Sequence, residues 1–322
     1  MPPMNMVQAI NLALKQEMAK DPSVIVLGED VGKNGGVFRV TEGLWQQYGD
    51  NRVIDTPLAE AGIAGVSIGL AVYGMKPVAE IQFDGFSLLT LNQLINHAAR
   101  IRNRSRARYH VPLVVRIPYG GGIRALEHHS DSPETYFCHT PGLKVVVPST
   151  PYEAKGLLIS AIRDPDPVVF LEPKRVYRAI KEEVPEDEYT IPLSKCNIVQ
   201  EGSDATLISW GAMLRTCKEA IEKSKYSIEL IDVRTLSPLD TAAIIKSVQK
   251  TGRAIIVQEA QRTCGFSSEL AALLAEKALL HLKAPVKRVT GYDVVMPLPK
   301  LENYYLPSAE KINKAINEAM KF

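Results

Sequence analysis

Short runs of β-branched and aliphatic residues recur through the first half of this chain, at 24–27, 77–82, 113–117, 145–147 and 168–171, with longer helix-spaced stretches between them. That alternation constrains the fold most, because buried strands joined by helices settle into a parallel sheet covered on both faces. Met6–Lys20 reads as one such helix. Residues 87–107 read as another, with Leu88, Leu91, Ile95 and Ala98 expected on one face. A third, 152–163, follows Pro151, and proline suits the first position of a helix. The pattern resumes with strands expected at 206–210, 227–233 and 254–258 and helices at 214–223, 241–250 and 267–281. Between the halves, 173–200 carries the charged run Lys181-Glu182-Glu183 and two further prolines, Pro185 and Pro192, as a solvated connection does. The sequence therefore predicts a doubly wound, parallel-sheet α/β domain over 1–185, a linker over 186–200 and a smaller α/β domain over 201–322. A length of 322 residues agrees with two cores.

Composition removes several classes of function. A net charge of +2 gives no reason to expect nucleic acid, and no apolar run approaches the roughly 20 residues of a membrane span. Arg100, Arg102, Arg104, Arg106 and Arg108 alternate, which on a helix spreads charge around the axis instead of building a stripe. The start, Met1-Pro2-Pro3-Met4, lacks the basic and apolar regions of a secretory signal, so the cytoplasm is the expected location. Cys138, Cys196, Cys217 and Cys264 form no zinc or CxxC spacing and read as reduced thiols.

One carboxylate stands out. Glu60 opens the segment 61–73, which carries no charge and repeats small residues at Ala61, Gly65 and Gly69, so a helix there presents a smooth face to another backbone. A helix N-terminus stabilises the anion while burial favours the acid, and opposed forces of that kind are typical of catalytic carboxylates. Glu60 is equally readable as an N-terminal residue pairing with free amides. His128-His129, downstream of Gly120-Gly121-Gly122, cannot share one face of a regular element and has no third ligand at metal spacing.

The run Asp55-Thr56-Pro57-Leu58-Ala59-Glu60-Ala61-Gly62, together with Glu80-Ile81-Gln82-Phe83, Glu127-His128-His129-Ser130, Thr140-Pro141-Gly142-Leu143 and Ile231-Asp232-Val233-Arg234-Thr235, resembles the beta subunit of thiamine-diphosphate 2-oxo acid dehydrogenases. The resemblance spans essentially the whole chain. It implies a pyrimidine-binding domain followed by a transketolase-C-terminal-like domain. It also implies that Glu60 matches the carboxyl that activates the cofactor's aminopyrimidine, that Phe86 stacks on that ring, and that Leu58 and Gln82 line the same pocket. His129 matches the family's active-site histidine, suited to the substrate carboxylate and to proton transfer at the lipoyl sulfur. For a structural potassium-like cation the resemblance implies oxygens of Val111, Leu113, Val114, Ala161, Asp164 and Asp166 as ligands; Val114 replaces a threonine of some relatives. Oxygen-only ligation suits a hard cation.

Thiamine enzymes hold Mg²⁺ and the diphosphate with a Gly-Asp-Gly motif, and none occurs here. The resemblance therefore implies an alpha subunit that carries Mg²⁺ and the diphosphate half-site, in an alpha2beta2 heterotetramer serving a lipoyl acyltransferase core. Phe170-Leu171-Glu172-Pro173-Lys174, Glu183-Val184-Pro185 and Gly291-Tyr292-Asp293 are similar to branched-chain members, so a branched-chain 2-oxo acid is the expected substrate. Phe86 points the other way, since pyruvate members carry phenylalanine there and branched-chain members often tyrosine. The alternatives are a pyruvate or acetoin dehydrogenase beta subunit and, from another class, a non-catalytic assembly subunit.

Overall fold

In the computed structural model, which describes residues 3–322, the first helix runs over Met6–Lys20 because Asn5 and Gln8 cap it reciprocally, each side chain accepting from the other's backbone N–H at 3.0 Å. Its buried face, including Ile10, Ala13 and Leu14, packs on the helix Pro151–Arg163. That second helix starts as expected, with Thr150 as cap and Pro151 in the first turn. Arg163 donates to both Glu17 oxygens at 2.5 and 2.9 Å and fastens the pair. Each fully buried aliphatic side chain in such a contact contributes about 1.5–3 kcal/mol.

The first half supplies strands β1 (Val24–Gly28), β2 (Val53–Asp55), β3 (Lys76–Glu80), β4 (Val114–Tyr119), β5 (Lys144–Val146) and β6 (Val168–Pro173). The second half supplies β7 (Asn197–Gln200), β8 (Ala205–Ser209), β9 (Ile228–Asp232), β10 (Thr235–Ser237), β11 (Ala254–Val257) and β12 (Lys287–Val289). One sheet has the order β10-β5-β6-β4-β3-β1-β2 and the other β12-β11-β8-β9-β7. Both are parallel except for the antiparallel edges β10 on β5 and β7 on β9. This is the expected doubly wound architecture, with β1, β4 and β6 buried at every position, as strands covered on both faces are.

Three departures have physical causes. Strand β7 lies inside the stretch read as connection, because its half-exposed alternation needs only one partner, β9. Strand β10 comes from the second half yet completes the first sheet, so the two halves share a ladder that no local pattern announces. The helix expected over 87–107 is broken into a turn at Asp84–Ser87, a 3₁₀ turn at Leu88–Thr90, a π turn at Leu94–Ala98 and an α-helical end at Ala99–Arg104. Tighter and wider turns rotate the face, so Thr90, Leu94 and Ala98 are buried and Leu88 is exposed. Among the described residues no helix is long and apolar enough to cross a membrane.

Candidate active site

In the first sheet β1 lies between β2 and β3, so the connections leaving β1 and β2 run in opposite directions and the strand order reverses there. A crevice beyond the carboxyl ends of strands at such a reversal is the usual ligand position in open α/β sheets. The residues that follow those ends are Glu29 after β1, Gln82 after β3, and Glu60, the first residue of the helix Glu60–Val72 that follows β2. Gln82 Nε2 donates to the Glu29 carbonyl at 3.4 Å and to Asp30 Oδ2 at 3.3 Å. Asp55, at the end of β2, accepts from Gly32 N at 2.6 Å and Lys33 N at 3.3 Å and pins the loop after β1. A Cβ on Gly32 would stand 2.6 Å from Asp55 Oδ2, so only glycine permits that bond.

Glu60 is buried at its helix N-terminus, where the helix's free N–H groups favour an anion. Glu29, which sequence reasoning missed, is buried beside it, and neither of its carboxylate oxygens has a hydrogen-bond partner. Burial first, then the charges of Glu60 and Asp30, push the Glu29 carboxyl above its ordinary pKa. The signal available was an acidic pair placed directly after an uncharged strand.

The histidine lies beyond the end of β4, in a 3₁₀ turn over Glu127–His129. Phe83 stacks on the His129 imidazole at 4.0 Å between centroids and 10° between planes, and Phe86 meets it edge-on at 5.3 Å. Gly85 is required beneath them, because a Cβ there would overlap the His128 carbonyl oxygen. Lys174 Nζ donates to the His129 carbonyl at 2.6 Å and pairs with the fully buried Asp84, whose other oxygen accepts from Asp131 N. Burial pushes the Asp84 carboxyl up to about 7 against the attraction of Lys174. His129 Nδ1 is buried and has no hydrogen-bond partner. Burial, aided by the nearby His128 and Lys174 charges and opposed by a backbone hydrogen bond at His128, holds this imidazole below its usual pKa. It is therefore neutral near pH 7, able to accept or donate a proton.

Glu60, Gln82, Phe86 and His129 thus lie along one edge of the sheet, linked through Glu29 and Phe83. Leu58 does not join them in packing: it is 77% exposed. The smooth helix face behaves likewise, since Ala61 and Gly69 are exposed and a Cβ on Gly69 would meet nothing within 4 Å. Val66 and Tyr73 are exposed on the same helix and at its end. A carboxyl, an amide, an aromatic face and unpartnered buried polar atoms suit a planar, nitrogen-rich heterocycle, and the exposed apolar rim suits a second polypeptide.

The residues assigned to a cation lie elsewhere, and their carboxylates carry protein cations. Lys144 Nζ binds both Asp164 oxygens at 2.6 Å, and Arg102 Nε binds Asp166 Oδ1 at 2.6 Å. The Leu113 carbonyl accepts from Val168 N at 2.8 Å, the Val111 carbonyl from Leu113 N at 2.8 Å and the Ala161 carbonyl from Asp164 N at 3.2 Å, while Val114 opens β4. An apolar groove of about 1450 Å³ passes this region, lined by Leu91, Ile95, Val111, Tyr136, Leu143 and Pro238 among others, and contains none of Glu29, Glu60, Gln82, Phe86 and His129.

Residues 2–180 match the family model of the transketolase pyrimidine binding domain, and residues 194–312 that of the transketolase C-terminal domain. The chain is 52% identical to the pyruvate dehydrogenase E1 component subunit beta of Acholeplasma laidlawii over 98% of both chains. It is 50% identical to the protein of the same name from Staphylococcus epidermidis over 99% of both. Among solved structures it is similar to a chain described as a split gene transketolase, inactive beta4 tetramer, with a TM-score of 0.81 at 21% identity over 99% of this chain and 98% of that one. That last likeness concerns the fold alone.

Proposed function

The chain belongs to the family of E1 beta subunits of 2-oxo acid dehydrogenases, and from that premise we propose that it forms the aminopyrimidine half of a thiamine diphosphate site, completed by an alpha subunit, in an enzyme that decarboxylates pyruvate and passes the acyl group to a lipoyl group. The observation that carries this reading is the set of buried polar atoms without partners, on Glu29 and His129, along the edge that holds Glu60, Gln82 and Phe86. Bound thiamine diphosphate supplies the nucleophilic carbon for decarboxylation; the protein supplies orientation and electrostatics.

In this reading Glu60, the first residue of its helix, holds and exchanges a proton at the pyrimidine ring nitrogen. Phe86 fixes the plane of the ring, and an offset stack contributes about 0.5–1.5 kcal/mol. Gln82 adds a hydrogen bond, and Leu58 packs only once a partner covers it. His129, neutral and steadied by Phe83 and Lys174, binds the substrate carboxylate and moves a proton at the lipoyl sulfur. Mg²⁺ and the diphosphate fall to the alpha subunit, since this chain has no Gly-Asp-Gly. A potassium ion at Asp164 and Asp166 would have to displace Lys144 and Arg102. The partner's seat in this proposal is the exposed rim formed by Leu58, Val66 and Tyr73.

Pyruvate replaces the branched-chain substrate expected from the sequence. Relatives named as pyruvate dehydrogenase subunits at 50–52% identity support this, as does phenylalanine at position 86. The test is co-expression with the alpha partner and measurement of kcat/KM for pyruvate against 3-methyl-2-oxobutanoate. Pyruvate should be preferred by about tenfold or more, the scale on which a pocket separates side chains of different size. A preference for the branched acid overturns the substrate; activity in the isolated chain overturns the shared site.

A further inference from the structure

Gly120-Gly121-Gly122 lie between β4 and the histidine turn, and the reason for two of the three, Gly120 and Gly121, lies in the other half of the molecule. Glu259, two residues beyond the end of β11, accepts a hydrogen bond from Gly121 N. Glu302, first residue of the short helix Glu302–Tyr305, accepts from Gly122 N at 2.7 Å and, with its other oxygen, from Arg124 N at 3.2 Å. Both carboxylates are buried. A Cβ at Gly120 would lie 2.9 Å from Glu259 Oε1, at Gly121 2.7 Å from Met296 Cε, and at Gly122 2.6 Å from Arg175 Cδ. Gly120 and Gly122 have φ of +84° and +87°, and Arg124 has φ of +60°. The glycines let the backbone turn its N–H groups towards two acids that no side chain could stand between.

The other end of the segment is held by the first half, through Lys174 on the His129 carbonyl and Asp84 on Asp131 N. The histidine turn is therefore stretched between two anchors, one in each half. Glu60 has no such tie to the second half: its helix follows β2 within the first sheet. Two buried acids side by side repel each other, a cost that neutral acceptors would avoid, and charge-assisted bonds to N–H groups offset it.

We propose that Glu302 and Glu259 are positioning residues: the second domain clamps the glycine run and so sets where His129 stands during transfer of the acyl group. The inference rests on the proposed function for what His129 does, and on the geometry alone for the clamp.

The test compares Glu302→Ala, Glu302→Gln and Glu259→Gln with the wild-type chain, each assembled with the alpha subunit. Glu302→Ala should lower kcat/KM for reductive acylation of a lipoyl domain by about tenfold, the scale of a lost charge-assisted bond. Exchange of the cofactor's C2 proton should stay within about twofold of wild type, because Glu60 is not tied to the clamp. Glu302→Gln and Glu259→Gln, which each keep one acceptor oxygen, should fall in between. A second readout needs no activity: trypsin should cut the full-length variant chain after Arg124 faster, in the order alanine, glutamine, wild type. Unchanged acylation with unchanged cleavage overturns the clamp, and so does a parallel fall in C2 exchange, which would mean general damage. If the wild-type complex decarboxylates no 2-oxo acid, the functional reading fails, and the cleavage order decides the clamp by itself.

Discussion

Two buried acidic clusters share the first sheet and treat their charges in opposite ways. Around Arg116 on β4, Glu172 accepts from Nε at 2.7 Å and Nη2 at 2.9 Å, Glu80 accepts from Nη1 at 2.6 Å, and the Tyr177 hydroxyl donates to Glu172. The cation has both its acids at hand. Beyond the ends of β1, β2 and β4, the two Glu29 oxygens, Thr56 Oγ1 and His129 Nδ1 are buried with no partner. An unsatisfied buried polar atom costs about 1–3 kcal/mol, so a fold keeps several together only where something offsets them. The first cluster braces three strands; in the proposed function the second receives a ligand's polar atoms. Substitutions should therefore split cleanly between stability and activity.

The largest split is expected at Glu60. Glu60→Gln should cut thiamine-dependent turnover of the assembled enzyme by about 10²–10⁴-fold, the range for loss of a positioned proton-transfer group. The denaturation midpoint should not fall, since an amide keeps the shape. Exchange of the cofactor's C2 proton reads the effect directly, and an unchanged exchange rate would assign activation to another group. Arg116→Met should do the reverse. It leaves Glu80 and Glu172 buried without their cation and should destabilise the chain by about 3–5 kcal/mol in urea unfolding. A loss below about 1 kcal/mol would mean that the brace contributes little.

His129 sharpens the comparison within the second cluster. His129→Ala should slow reductive acylation of a lipoyl domain by about 10²-fold. Decarboxylation followed with an artificial electron acceptor should fall less, because Glu60 remains. Equal losses in both assays would make His129 mainly a substrate-binding group; no loss in either would return its turn to a structural role.

The two clusters also differ in how far the sequence exposes them. Strand and helix alternation is a local property, and it yielded the parallel sheet and most of its strands. Glu60, Phe86 and His129 were reachable because motifs around them resemble those of a known family. Glu29 was not, because its place beside them arises only where the strand order reverses and brings the ends of β1 and β3 together. The Asp84–Lys174 pair, separated by 90 residues, and the β10 edge strand are hidden for the same reason: each is created by contacts between distant segments. Leu88 was misplaced because it lies in a 3₁₀ turn, with a π turn further along, and both shift the helical period on which face assignments rest. The branched-chain expectation stood on weaker ground, since it rested on three short matching stretches, and relatives named as pyruvate dehydrogenase subunits do not support it.

The smallest effect, and the most direct probe of an unsatisfied acid, belongs to Glu29. Its carboxyl is pushed above the ordinary value by burial, with the Glu60 and Asp30 charges adding to it. Between the unfolded and folded pKa values the native state thus binds more protons than the unfolded chain, and stability falls as pH rises through that interval. This is opposite to a carboxylate whose pKa a cation depresses. Glu29→Gln should flatten that part of the stability profile and leave the chain slightly more stable above it, because an amide removes the charge but not the shape. Urea unfolding at a series of pH values from the ordinary carboxylate range upwards measures this. The same substitution in the assembled, cofactor-loaded enzyme should lose the gain, since a ligand that satisfies Glu29 removes the cost that the amide relieves. An equal gain with and without bound cofactor would show that Glu29 does not face the ligand, and the contrast between the two clusters would then rest on Glu60 and His129.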